Sequence, residues 1–205
     1  MRSLFIVVTC LYFSSCNQSQ DSTIHAQSQS VTRPKKSTEP KIGDIVDSLN
    51  GVYVYYNGDV SHVSERHLAK DGYNLGLKFQ CVEFIKRYYY QHLKHKMPDS
   101  YGHAREFFSS NFGDGELNTK RNLLQFKNGS SYIPKIKDLI VFDGHEFNPY
   151  DHVAIVSNVG EDFIEIIQQN PGPIGPSRER FELYKKGSKW FVSDDLTLGW
   201  LRKKD

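Results

Sequence analysis

The chain has 205 residues and a formal charge of +2, a near balance that leaves no electrostatic footprint for nucleic acid. Short lysine pairs such as Lys94/Lys96 and Lys185/Lys186 are scattered as on a solvated face. Three cysteines are too few for a disulfide framework.

The first segment reads as processing signal rather than fold. Arg2 gives a positive start, Leu4 to Phe13 is an apolar run, and small Ser14 and Ser15 precede Cys16. This run of about ten residues is too short to span a bilayer and has the form of a secretory signal. The expectation is a lipoprotein-type signal over 1–15 with Cys16 acylated, placing the protein in a bacterial cell envelope, anchored to the membrane by lipid. Residues 16–41 are polar, carry Pro34 and Pro40, and lack the large apolar side chains needed for a core; they are expected to form a disordered tether. The remaining stretch, 42–205, fits one domain. Within it Cys81 is the only cysteine, and an exported domain that keeps one unpaired thiol needs a use for it.

In chain order, 51–56 (GVYVYY) predicts a strand or extended segment. Cys81 to Leu93 repeats Val82, Ile85, Tyr89 and Leu93 at helical spacing, and His103 to Ser110 predicts a second, shorter helix. The period then changes: 138–142 (DLIVF), 152–157 (HVAIVS), 163–167 (FIEII), 189–192 and 198–201 read as strands separated by loops containing Gly144, Pro149 and Gly160. Helices followed by adjacent strands predict an α+β domain, with N-terminal helices packed on a largely antiparallel sheet.

Cys81 opens the strongest helix, where free amide donors and the helix dipole favour a thiolate. His152 opens an apolar strand behind a polar loop. If that strand and the next form a hairpin, Gln168 or Asn170 returns beside His152 and can orient the imidazole. Gln80 is a candidate oxyanion donor through its side-chain amide, with the Cys81 backbone N–H, and equally a candidate helix cap. Glu83 either receives a substrate amine or merely complements the helix dipole. His92 and His95 have a metal-compatible spacing but no third ligand in view, so no metal is expected. Asn128-Gly129-Ser130 reads as a turn, and 171–176 (PGPIGP) as a stiff loop, either walling a cleft or only connecting.

The segments Gln80-Cys81-Val82-Glu83-Phe84, Asn128-Gly129-Ser130, Asp138-Leu139-Ile140-Val141-Phe142, His152-Val153-Ala154-Ile155, Gln169-Asn170 and Leu198-Gly199-Trp200, in this order, resemble the CHAP family of cysteine amidohydrolases and peptidases, and within it the glutathionylspermidine-amidase branch. The resemblance implies a papain-like (CHAP/NlpC-P60-like) fold, Cys81 as nucleophile and His152 as base, then acid. The family's third residue is usually glutamate; this chain has Gln168 there, with Asn170 matching two positions on. The resemblance further implies a peptide-like substrate of glutathionylspermidine-amide type, no cofactor and, without a synthetase half, no nucleotide, whereas the expected export points to peptidoglycan peptides. The competing expectation is a catalytically silent module of the same fold that binds cell-wall peptides.

Overall fold

The computed structural model describes residues 39–144, 149–172 and 175–204; the expected signal, the Cys16 lipidation site and nearly all of the tether lie outside them. Among the described residues no helix is long and apolar enough to cross a membrane.

The described residues open with a hairpin of β1 (Ile45–Leu49) and β2 (Val52–Tyr55) and continue through a second hairpin, β3 (Arg66–Leu68) and β4 (Asn74–Leu77). It then enters α1 (Cys81–Gln91) and a 3-10 turn, Ala104–Phe107. Eight strands follow: β5 (Glu116–Asn118), β6 (Leu123–Lys127), β7 (Leu139–Phe142), β8 (His152–Val159), β9 (Phe163–Ile167), β10 (Arg178–Lys186), β11 (Lys189–Val192) and β12 (Thr197–Arg202). They form one sheet in the order β11-β10-β9-β8-β7-β12-β6-β5, with every pairing antiparallel.

Among the described residues the expected plurality of helices is corrected to one α-helix. The stretch 103–110 carries only a 3-10 turn between buried Ala104 and Phe107, because its apolar residues are too sparse to sustain a helical stripe. The α1 helix stops two residues short of the expected Leu93. Among the described residues the fold is therefore sheet-rich, with a single α-helix against one face.

That helix explains the continuous apolar strands. Val141, Val153, Ile155 and Ile167 pack with Phe84, Ile85, Tyr88 and Tyr89 of α1. Their neighbours Ile140, Phe142, Ala154, Val156 and Ile166 point the other way and form a second core with Leu183 and Val192. With both faces covered, alternation by period two is invisible in the apolar pattern although it persists in the backbone. Gly76 permits the close approach of β4 to the first turn of α1: its φ is +123°, and a Cβ there would meet the Glu83 backbone at 3.2 Å. The Asn128-Gly129 segment is a turn, as its composition predicts.

Candidate active site

Cys81 is the first residue of α1 and is only 8% exposed. It opens onto a cleft of about 390 Å³ whose walls include Val63, Arg66, Tyr101 and Tyr150. Burial pushes its thiol up to about 11, and the nearby Asp151 carboxylate adds to this. The backbone N–H groups of Val153, Val82 and Cys81 itself lie against the sulfur and pull in the other direction. Desolvation wins over the helix terminus, so the resting group is a neutral thiol.

His152 begins β8 immediately after Asp151, whose φ of +62° turns the chain into the strand. Val153 belongs to the helix-side core, so strand alternation directs His152 to the opposite face, where its cross-strand partner is Phe142, with ring centroids 6.3 Å apart. The residue is half-buried, but both ring nitrogens are covered and neither has a hydrogen-bond partner, the thiol included. Burial pushes the imidazole down to about 4, while the Gln168 carboxamide beside it favours the protonated ring without reaching hydrogen-bond geometry. His152 lines a different cavity from Cys81, of about 330 Å³, shared with Phe142, Gln168, Glu179 and Phe181. The structure thus brings the sulfur to the amide that follows His152 but does not bring the sulfur to the ring.

The β8–β9 hairpin forms with Ile155 opposite Ile167, and the three residues after β9 take three separate roles. Gln168 stays on the imidazole side, donating to Pro176 O (3.1 Å) and Glu179 Oε2 (3.3 Å). Gln169 turns toward the helix: Nε2 donates to Gln80 O (3.0 Å) and Glu83 Oε2 (2.9 Å), and Oε1 accepts from Tyr55 N (2.8 Å) and Arg87 Nη2 (3.3 Å). Asn170, at φ +57°, donates to Val60 O (3.1 Å) and Gln80 Oε1 (2.9 Å), so its bonds go to the nucleophile's side of the site rather than to His152.

Gln80 has neither of the roles considered for it in this geometry. Its Nε2 donates to Val60 O and His62 O, which occupies the amide donors that an oxyanion would need. It makes no side-chain cap bond to the helix. Glu83 is not a substrate contact either: it is 1% exposed and accepts bonds from Arg87 Nε (2.6 Å) and His67 Nδ1 (2.7 Å) as well as from Gln169. Burial opposes its charge, but those three partners outweigh it and hold the carboxyl below the usual range. Sequence reasoning missed this strut. The i, i+4 spacing of Glu83 and Arg87 was a readable signal for half of it; the part played by Gln169 had none.

His92 and His95 do not converge on an ion, since His95 Nε2 pairs with Arg121 O at 2.9 Å, and among the described residues no cluster of His, Cys, Asp or Glu could hold a metal. The stiff loop supplies Pro171 and Gly175 to the wall of the cavity that His152 lines; Pro173 and Ile174 lie outside the described residues.

A thiol at a helix start, an imidazole at a strand start one amide away, and an antiparallel sheet between them place the chain among domains of amidase and peptidase type. Residues 70–170 match the CHAP domain, a stretch that includes Cys81, His152 and Asn170. The chain is similar to the bifunctional glutathionylspermidine synthetase/amidase of Escherichia coli (strain K12), 29% identical over 190 residues, covering 83% of this chain and 30% of that protein. It is also similar to the trypanothione synthetase of Crithidia fasciculata, 26% identical over 157 residues, covering 72% of this chain and 24% of the relative. The chain therefore spans under a third of the length of these curated relatives.

Proposed function

We propose that this protein is a cysteine-dependent amidase or peptidase, with Cys81 as nucleophile and His152 as proton carrier. The observation that carries the reading is that Cys81 and Val153, one residue past His152, lie in one core cluster, with the Val153 N–H near enough to favour the thiolate. For reaction, the ring must turn from the far face of β8 toward the sulfur. No hydrogen bond to either ring nitrogen opposes that turn, and a partner gained there offsets the cost of two orphaned polar atoms. His152 then takes the thiol proton, sulfur attacks the amide carbon, and the C–N bond breaks as the ring returns the proton to the leaving amine. Water hydrolyses the thioester, giving the acid and restoring the thiol. The N–H of Cys81 is the candidate oxyanion donor.

The substrate is proposed to be an amide of peptide type, either a peptidoglycan peptide or a conjugate of the kind that the bifunctional relative's name describes. An exported domain, tethered by a polar linker to an acylated Cys16, favours the first. Incubating the full protein with each substrate and identifying the products by mass spectrometry tests this, with Cys81→Ala as control. Turnover unchanged in the control overturns the mechanism.

A second reading, a silent module that binds cell-wall peptides, draws on the neutral resting thiol and imidazole and on Gln168 where the family usually has glutamate. Saturable binding of muropeptides without any product favours it.

A further inference from the structure

The wall of the Cys81 cleft formed by β3 and the segment 99–104 carries one cation, Arg66, with no carboxylate partner among the described residues, and two more cations lie buried behind it. Arg66 lines the cleft, lies over the Tyr101 ring (5.6 Å to the centroid) and donates one Nη1 bond to Asn74 Oδ1 at 3.1 Å. Among the described residues it has no ion-pair partner. Behind it Lys86, 1% exposed, donates to Asn74 O and Ser100 O. Arg121, fully buried, donates to Asp99 O (2.7 Å), Tyr101 O (3.1 Å) and Glu106 O (3.1 Å). Carbonyl oxygens satisfy these donors but carry no full charge to cancel them. Asp99 and Glu106, which accept from Tyr101 N and His103 N, keep their charge and offset part of that on Arg121, and Asp99 part of that on Lys86, so Arg66 is the cation of this wall left without a carboxylate. Among the described residues no Asp or Glu lines the cleft, and Asp151, in the turn before β8, is near enough to act on the sulfur.

We propose that the Cys81 cleft selects ligands bearing a carboxylate, that Arg66 is the residue that reads it, and that the amides cleaved here carry that carboxylate on the acyl side. A guanidinium whose remaining N–H groups have no partner among the described residues, lying over an aromatic ring, presents the fork that binds a carboxylate through two bonds. Arg121 behind it adds to the potential, partly offset by Asp99 and Glu106, whereas burial pushes Lys86 down to about 8, so that it contributes little at pH 9. The substrate part rests on the hydrolase reading above; the charge selection at the thiol does not.

The test uses two alkylating reagents that differ in charge. Iodoacetate and iodoacetamide both form a C–S bond to the Cys81 thiolate with loss of iodide, whether or not the protein hydrolyses anything. Rates are measured on the full protein at pH 9, where Arg66 keeps its charge. The iodoacetate-to-iodoacetamide rate ratio is expected to fall roughly 10-fold in Arg66→Gln, from loss of a unit charge a few ångströms from the reacting anion. Arg66→Lys, which keeps the charge, should retain most of the ratio, and Lys185→Gln, on β10, should leave it unchanged. In a second arm N-acetylglutamate should slow iodoacetamide labelling more than N-acetylglutamine does, and Arg66→Gln should erase the difference. A ratio unmoved by Arg66→Gln, equal protection by the two acetylated amino acids, or no labelling by either reagent overturns the inference. Charge selection without amide hydrolysis would leave it standing and remove only the hydrolase reading.

Discussion

Val153 packs in the same core as Cys81, with its N–H near enough to favour the thiolate, and the imidazole of the preceding residue, His152, lies on the other side of the strand beside Phe142. One residue of β8 therefore separates nucleophile and base, with the backbone amide on the thiol side and the ring on the other. Both groups rest uncharged for the same reason: burial disfavours an anion at sulfur and a cation at imidazole. The ion pair that a cysteine hydrolase uses must form after the ring turns, when each charge becomes the other's partner.

Removing either member should then abolish hydrolysis without unfolding the domain. Cys81→Ala and His152→Ala are each expected to lower kcat by at least about 10³-fold, and the double variant little further, because the two act as a unit. Steady-state kinetics on all three, beside circular dichroism, checks this. Additive losses would show that they work separately.

The thiol's ionisation reports where the ring sits. With His152 on the far face, the rate of iodoacetamide labelling should keep climbing with pH beyond 9, toward a midpoint near 11. A midpoint below 8 would show the ring already at the sulfur in the free protein. Saturating substrate analogue should lower the midpoint if binding draws the ring across.

His152 also leaves a mark on stability. The unfolded chain protonates this ring near pH 6.5 and the folded protein only near 4, so between those values the unfolded state binds more protons. Stability falls as pH drops through that window, by up to about 3 kcal/mol from this residue alone. Urea denaturation of wild type and His152→Gln at pH 7.5 and pH 4.5 should show the smaller pH loss in the variant.

Restoring a carboxylate at 168 should act in two opposed directions. Gln168→Glu places a negative charge beside the ring and should raise the His152 pKa from about 4, visible in imidazole NMR titration. It also faces the carboxylate of Glu179, to which Gln168 now donates at 3.3 Å, so the folded state should lose about 1–2 kcal/mol at neutral pH. A rise in kcat together with a lower denaturation midpoint is the expected pair of results.

How much of this was legible in the sequence depended on what each residue faces. The strands β2, β7, β8, β9, β11 and β12 and the helix start at Cys81 stand out as apolar or aromatic runs, because they line one or both cores. By contrast β10 (RERFELYKK) is mostly charged along its length, with Arg178 reaching Asp47 and Glu165, so the sequence reads as surface. The three-residue strands β3 and β5 are too short to show any period. At the site, chain position told that His152 opens a strand but not which way its ring points, since HVAIV is apolar on both faces. Likewise nothing distinguishes Gln168, Gln169 and Asn170 from one another until the end of β9 sends their side chains to three different places.

Gln169 is the residue among these whose loss should matter most to the fold. Fully buried, it links β9 to the carbonyl just before α1, to the buried Glu83 carboxylate and to the β2 backbone. Gln169→Ala leaves a cavity and strips one donor from a buried anion, while Tyr55 N loses its acceptor. A carboxylate and a backbone amide left short of partners cost about 1–3 kcal/mol each, so a loss of about 3–5 kcal/mol is expected in urea denaturation. Gln169→Glu should do no better despite its matching shape, because it sets a second carboxylate against Glu83 in place of an amide donor. The helix start that carries Cys81 hangs on this strut through Gln80 O. Labelling of Cys81 should therefore accelerate in Gln169→Ala at denaturant concentrations well below the unfolding midpoint; equal protection of the thiol in variant and wild type would show that the helix start holds without it.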